Sequence, residues 1–331
     1  MNYHCGGSLL LIIQLRQITG RAMSVVIILG ASQDCHALHM LQACHKLGIE
    51  AALFDTSLYP SCHSISWNPV LAKGGLRLNS TFYKFEQINS VFWSSVGPPN
   101  LAADTNPSLY QIAMSDSSSA LRTFFDERSI RWVNSWQVFD SHKVKPRQLH
   151  KAATCGALIP QTYIGNETED ILSFAKQYKK LLFKPVYGGS HATLIDEKQL
   201  NSEHLQKVLK YAPVTIQQYI EGTNIRTYVI GSEVFSAEIV SDEVDFRLHS
   251  NPIHIPTKTP IKVASLAKRI TQGFKMHWTA IDWRRDNQGN YYFLEANPSP
   301  MFMHFEQLTG YPITEMLVQA LVQPRYLSNV G

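Results

Sequence analysis

The sequence has no apolar run long enough to span a bilayer. The one apolar patch near the start, Leu9 to Ile13, falls far short of the roughly 20 residues a spanning helix needs, and no small-residue cleavage site follows it. A membrane anchor is therefore not expected. Cysteine is sparse: Cys5, Cys35, Cys44, Cys62 and Cys155 make an odd set with no Cys-x-x-Cys pair and no zinc spacing. That excludes a disulfide scaffold and points to reduced thiols in a cytoplasmic protein. Lysine and arginine form no run, and a net charge of only +4 gives no footprint for nucleic acid. Neither a complete Gly-x-Gly-x-x-Gly nor a Ser-His or Cys-His nucleophile motif is present, and there is no internal repeat.

What is present is enough apolar residue, 44% of 331, to bury more than one core. Val25 to Leu29 reads as a buried strand ending at Gly30, followed by a helical pattern over His36 to Leu47 and a strand over Ala51 to Phe54, a βαβ opening. Gly30-Ala-Ser reads as a strand-to-helix turn. His36, His39 and His45 share the intervening helix without a carboxylate nearby and read as ordinary core or surface imidazoles. Met23 directly precedes the first strand, so residues 1–22 read as a tail or a misassigned start. Short strand-like pieces, including Ser90-Val-Phe-Trp-Ser, fill 67–100, ahead of a Gly97-Pro98-Pro99 break and a polar stretch around Ser115 to Ser119. A new unit is expected near residue 140. From there helices at 147–156, 168–178 and 202–210 interleave with strands at 161–164, 180–184, 192–195 and 214–218. The expected fold is α+β, behind an α/β N-terminal domain over 23–140.

Thr279-Ala-Ile-Asp282-Trp and Tyr291-Tyr-Phe-Leu-Glu295-Ala-Asn297 flank the turn Asp286-Asn-Gln-Gly289-Asn and must pair antiparallel. Symmetry about Gln288 and Gly289 places Asp282 opposite Glu295, with Asn297 pointing the same way. Two opposed carboxylates repel unless a cation lies between them, and magnesium, which takes oxygen ligands from one or two carboxylates, would relieve that repulsion. A solvated hairpin face is the alternative; Asp286 reads as a turn residue. Lys184 closes an apolar strand just before Gly188-Gly189-Ser190, where backbone N–H groups and an ammonium can hold a phosphate, although a surface lysine beside a turn has the same pattern. Arg226, on a strand after Thr215 to Gly222, either pairs with an acid or offers its fork to phosphate or carboxylate. Trp278 and Trp283 read as packing beside the carboxylate strand.

These residues resemble the ATP-grasp superfamily, in particular ligases similar to the ribosomal-protein glutamate ligase and the macrocyclising ligases of graspetide (microviridin-type) biosynthesis. The likeness runs over about 84–322. It rests on Phe293-Leu-Glu295-Ala-Asn297-Pro298 with Asp282 upstream, and on Phe305-Glu306-Gln-Leu-Thr-Gly310-Tyr-Pro-Ile, which resembles the helix start after the metal motif. The resemblance implies an ATP-grasp domain over 141–326, with a lid lobe at about 158–216 and a metal-binding lobe at about 217–326, two lobes clasping the nucleotide. It implies Asp282, Glu295 and Asn297 as ligands of Mg²⁺, with Mn²⁺ an alternative, and Lys145 and Lys184 as nucleotide lysines. Gln217, Gln218, Tyr219 and Ile220 would form the adenine hinge, read through the backbone of Gln218 and Ile220. Arg226 and Arg247 would balance charge at the reacting phosphoryl group. The chain departs from the family at Asn224, where an acid usually binds the ribose, at His191, which follows the glycine turn, and at Ser94 and Ser95, where an arginine pair often stands.

The implied activity is ATP-dependent ligation: a carboxylate is activated as an acyl phosphate and passed to an amine or hydroxyl, with a precursor peptide as one substrate class. A free amino-acid or small-metabolite ligase, and a non-catalytic ATP-binding regulator, are the alternatives. An oligomer is compatible with the sequence.

Overall fold

In a computed structural model of the chain, the described residues are 24–102, 105–187, 191–241 and 252–322. They form two compact units. The first holds most residues up to Arg131; the second takes Trp132 onward together with Asp34–His36 and Trp93–Ser95.

The first unit opens on β1 (Val25–Leu29), buried at every position, as expected for a parallel strand covered on both faces. Helix α1 (Cys35–Lys46) leads to β2 (Ala51–Phe54), parallel to β1 with Val26 opposite Ala51, which is the expected βαβ. Ser32, in the turn after β1, donates both its backbone N–H and its hydroxyl to Asp55 at 2.6 Å. Those bonds, with two more from Ser57, hold the Asp55 carboxyl low against the opposing effect of its burial. The Gly30-Ala-Ser turn is thus tied to its own domain. Strands β3 (Ser64–Asn68), β4 (Lys73–Leu78) and β5 (Thr81–Lys84) form an antiparallel meander, and β6 (Ile88–Trp93) lies beside β1 in the order β2-β1-β6. Helix α2 (Pro107–Phe125) follows an Asn106 cap with proline at its first turn. The polar stretch Ser115 to Ser119 is its middle. Ser117 and, beyond it, Leu121, Phe124 and Phe125 make the buried stripe; this spacing of three to four is what a helix requires.

Strand β7 (Arg131–Val133) carries the chain into the second unit. After α3 (Trp136–His142) and α4 (Lys145–Thr154) come β8 (Thr162–Gly165), α5 (Thr168–Ala175), β9 (Leu181–Pro185), β10 (Thr193–Leu194), α6 (Ser202–Val208) and β11 (Val214–Gln218). The four strands make an antiparallel sheet in the order β10-β9-β11-β8, packed around Ile171, Leu181, Leu205, Leu209 and Ile216. A second, five-stranded antiparallel sheet follows: β12 (Gly222–Ile230), β13 (Glu233–Val240), β14 (Ile253–Thr257), then α7 (Ile261–Gly273), β15 (Trp278–Asp286) and β16 (Tyr291–Asn297), in the order β14-β13-β12-β15-β16. Side chains alternate across it. Ile225, Val229, Ile281, Trp283, Phe293 and Ala296 face the core with Ala267 and Ile270 of α7. Trp278 and Trp283 are fully buried, and each contributes on the order of 5 kcal/mol of gross transfer free energy.

Helices α8 (Met303–Thr309) and α9 (Ile313–Val322) close the described chain. The Phe305-to-Ile313 motif, expected as one helix start, instead ends one helix and begins the next. Gly310 takes the left-handed conformation, φ 71°, that terminates α8, and Glu306 accepts hydrogen bonds from the Thr314 N–H and hydroxyl to cap α9. The architecture is α+β. No helix among the described residues is long and apolar enough to cross a membrane.

Candidate active site

The β15–β16 ladder pairs Asp282 directly with Glu295, and Ala280 with Asn297. The turn itself sits one residue off the symmetric register, with Arg285 opposite Tyr291. Continued unchanged, that register would set Asp282 against Leu294 and turn Glu295 to the core face. A bulge between the Asp282 and Trp283 pairings, with Leu294 as its extra residue, restores the carboxylate pair. Asp286 is a turn residue, accepting from the Asn290 side chain and from the backbone of Gln288 and Asn290.

Each carboxylate has a cation of its own. Arg226, opposite Asp282 on β12, donates Nε and Nη2 to it at 2.7 and 2.8 Å. Burial opposes the guanidinium charge, but the Asp282 carboxylate overrides it and raises the Arg226 pKa. Lys145, at the start of α4, donates Nζ to Glu295 at 2.8 Å. The same Nζ lies 3.2 Å from Nε2 of His142. Burial, then the Lys145 ammonium, push His142 down to about 4, so its ring is neutral near pH 7. Gln148 fixes α4 to β16 by donating to the Ala296 carbonyl at 3.0 Å and accepting from its N–H at 3.1 Å. Of the two readings of Arg226, the pairing with an acid is the one seen here, and Lys145, implied by the resemblance as a nucleotide lysine, likewise holds a carboxylate.

From this charged end a cavity of about 150 Å³ runs past Lys184 and Asn224 to Gln217, Gln218, Tyr219 and Ile220, with Leu149, Leu182 and Leu294 among its apolar walls. Lys184 lies opposite Thr215 and donates to the Gln217 side chain at 2.6 Å; Gln217 in turn donates to the Thr162 hydroxyl. The hinge is partly committed within the protein. Gln218 N–H donates to Gln161 O, Tyr219 N–H to Lys180 O, and Ile220 O accepts from Arg284 Nε at 2.9 Å. The expectation that the backbone of Gln218 and Ile220 reads a base therefore narrows to the Gln218 carbonyl and the Ile220 N–H. Gly188, Gly189, Ser190 and Arg247 lie outside the described residues.

His142, Gln148 and Arg284 were not anticipated as site residues. Arg284 alone carried a usable signal, since it lies two residues from Asp282 and so on the same face of β15. His142 and Gln148 enter only through the packing of α3 and α4 against β16.

Among the described residues no group of three His, Cys, Asp or Glu converges. A metal here would rest on Asp282, Glu295 and the Asn297 amide oxygen, which accepts one bond from Ser299 N–H and keeps a second lone pair. An all-oxygen set with two carboxylates suits Mg²⁺ or Mn²⁺.

Known proteins resemble this chain in sequence and in fold. D-alanine–D-alanine ligase from Francisella tularensis subsp. novicida is 26% identical over 146 residues, covering 40% of this chain and 47% of that protein. The corresponding enzyme of Pseudoalteromonas translucida is 25% identical over 174 residues, covering 48% of this chain and 56% of its own. The chain thus spans about half the length of these curated relatives. Among solved structures, a Chryseobacterium gregarium RiPP-associated ATP-grasp ligase in complex with ADP and a leader and core peptide superposes with TM-score 0.80 at 21% identity, over 92% of this chain and 98% of that one. ATP-grasp ligase PsnB with a precursor variant, Mg and ADP gives 0.78 at 23% identity, over 91% and 98%. Macrocyclase MdnC from Microcystis aeruginosa MRC, bound with precursor peptide MdnA, gives 0.78 at 20%, over 90% and 99%. Residues 140–321 match the RimK-like ATP-grasp domain; the chain belongs to the RimK-like ATP-grasp family.

Proposed function

We propose that this protein is an ATP-dependent carboxylate ligase acting on a peptide, forming an amide or an ester. The observation that carries the reading is the cross-strand pair of Asp282 and Glu295, each neutralised by a cation, lining one cavity with the 217–220 hinge.

Asp282, Glu295 and Asn297 would hold Mg²⁺, which when bound neutralises phosphate charge. Lys145 and Lys184 line the route from the carboxylates to the hinge and would hold the phosphates. A substrate carboxylate oxygen attacks the γ-phosphorus, and the bond to the β,γ-bridging oxygen breaks, giving ADP and an acyl phosphate. An amine or hydroxyl then attacks the acyl carbon, phosphate leaves, and the acceptor loses its proton. Arg226 and Arg247 would balance the charge developing on the transferred group. Closure of the 158–216 lobe would exclude water, which otherwise hydrolyses the acyl phosphate. The peptide assignment is supported by similarity to ligases solved with precursor peptides. Similarity to D-alanine–D-alanine ligases supports the second reading, a free amino-acid ligase.

The test is calorimetric titration with Mg²⁺ and a non-hydrolysable ATP analogue, beside Glu295→Ala, followed by ADP release over acidic peptides and over free amino acids. Metal-dependent binding lost in the variant is expected, with ADP release on a peptide. Absence of binding by the wild type would overturn the ligase reading, and release on free amino acids alone would select the second one.

A further inference from the structure

The strand rows beside the carboxylate pair carry a second set of polar groups. Arg226 pairs with Asp282 across β12 and β15; two residues toward the hinge, roughly 7 Å along the strand, Asn224 pairs with Arg284. A ligand reaching from the carboxylates to the 217–220 hinge passes over this second row. On the nucleotide reading above, which this inference rests on, the part that lies there is the sugar.

The chemistry of that row is unusual for holding a sugar. Among the described residues, the acids lining the cavity are Asp282 and Glu295, and both are already paired with cations. Arg284 is pinned at three points: Nε to Ile220 O at 2.9 Å, Nη1 to Asn224 Oδ1 at 3.0 Å and Nη2 to the Tyr219 hydroxyl at 3.0 Å. Its guanidinium carbon also sits 5.4 Å from the centre of the Tyr219 ring. A guanidinium has five N–H donors, so one remains on each terminal nitrogen. Asn224 is buried and its oxygen is occupied by Arg284, so the amide can offer a ligand mainly its Nδ2 donors. The row therefore presents donors and a positive charge, where a carboxylate would present only acceptors.

We infer that Arg284 is a specificity-determining residue that, with Asn224, recognises the sugar hydroxyls of the nucleotide as hydrogen-bond acceptors. A sugar oxygen can accept from a donor row as well as it can donate to an acid; what the row requires is the oxygen itself. Because the same guanidinium also braces the hinge through Ile220, a purely structural role for Arg284 must be separated from sugar recognition.

The experiment compares equilibrium binding of ATP and 2′,3′-dideoxy-ATP, each with Mg²⁺, by the full chain and by Arg284→Met and Arg284→Lys. A bond from a charged donor is worth enough for the wild type to prefer ATP by about tenfold. Arg284→Met should reduce that preference to about threefold or less while dideoxy-ATP affinity stays within about threefold; Arg284→Lys should fall between. A tenfold preference surviving in Arg284→Met, or in Arg284→Lys if the Met variant does not fold, overturns the inference. Equal losses for both nucleotides also overturn it, leaving only the hinge-bracing role. Wild-type protein that binds both nucleotides equally refutes the inference alone, whereas protein that binds neither refutes the nucleotide reading beneath it.

Discussion

Replacing Asp282 by alanine removes the bidentate carboxylate partner of the Arg226 guanidinium, whose side chain is only 18% exposed, against 11% for Asp282. Both bonds of the fork are lost, and the weaker pull of Glu295 stays in the charge environment of Arg226. Breaking a buried pair by removing one member costs about 3–5 kcal/mol, most of it the uncompensated charge. In a unit of about 200 residues, each kcal/mol moves Tm by about 2–4 °C. Asp282→Ala should therefore melt about 6–20 °C below the wild type, followed by near-UV circular dichroism in chelator. The double variant Arg226→Met with Asp282→Leu removes both charges and should recover most of that loss, since apolar replacement of a buried pair is often neutral. The pair also has a binding consequence. Mg²⁺ alone must compete with Arg226 for Asp282, so it should raise the wild-type Tm by less than about 2 °C, whereas ATP gives Arg226 a second anionic partner and the two together should raise it more. An Asp282→Ala protein melting within about 2 °C of the wild type in chelator would refute the reasoning, because Arg226 would then not depend on this carboxylate.

Further outcomes follow from other positions. His142 titrates near 4 when folded against 6.5 ordinarily; the unfolded chain takes up a proton between those values that the folded one refuses, so stability should fall as pH drops from 6.5 to 4, by on the order of 3 kcal/mol, and His142→Gln should flatten that slope in denaturant titrations. Gly222 has φ +145° and its added Cβ would overlap the Arg285 carbonyl, so Gly222→Ala should destabilise by more than about 2 kcal/mol and weaken nucleotide binding through the adjacent hinge, measured by urea unfolding and titration. Burial pushes the Cys44 thiol up to about 12, while Cys35 and Cys62 are exposed; alkylation followed by mass mapping should modify those two in native protein and Cys44 only after unfolding.

Much of the fold was legible because its signals are local. The β1–α1–β2 opening shows as an aliphatic run, a helical period and a second run, and β11 matches its expected span of 214–218. Helix α2 was missed because its buried stripe includes Ser117 and its centre is a serine-rich run; a polar residue on an inward face hides the period that would reveal it. Within the site, residue types and hairpin spacing brought Asp282, Glu295 and Asn297 to one face.

Composition and spacing by themselves determined that a hairpin would set two carboxylates across from each other, because strand alternation and an antiparallel ladder are short-range geometry. That the pairing is reached through a bulge at Leu294 could not be read there, since the register at the turn and the register at the acids differ by one residue and only the ladder shows where the extra residue goes. Nor could the partners of the acids. Arg226 is 56 residues from Asp282 and Lys145 is 150 from Glu295, and a charge that distant in sequence becomes a neighbour only when a sheet and a helix are packed together. The tertiary structure decided which cation meets which carboxylate, and that Arg284 rather than an acid occupies the row beside Asn224, because electrostatic partnership depends on separation in space.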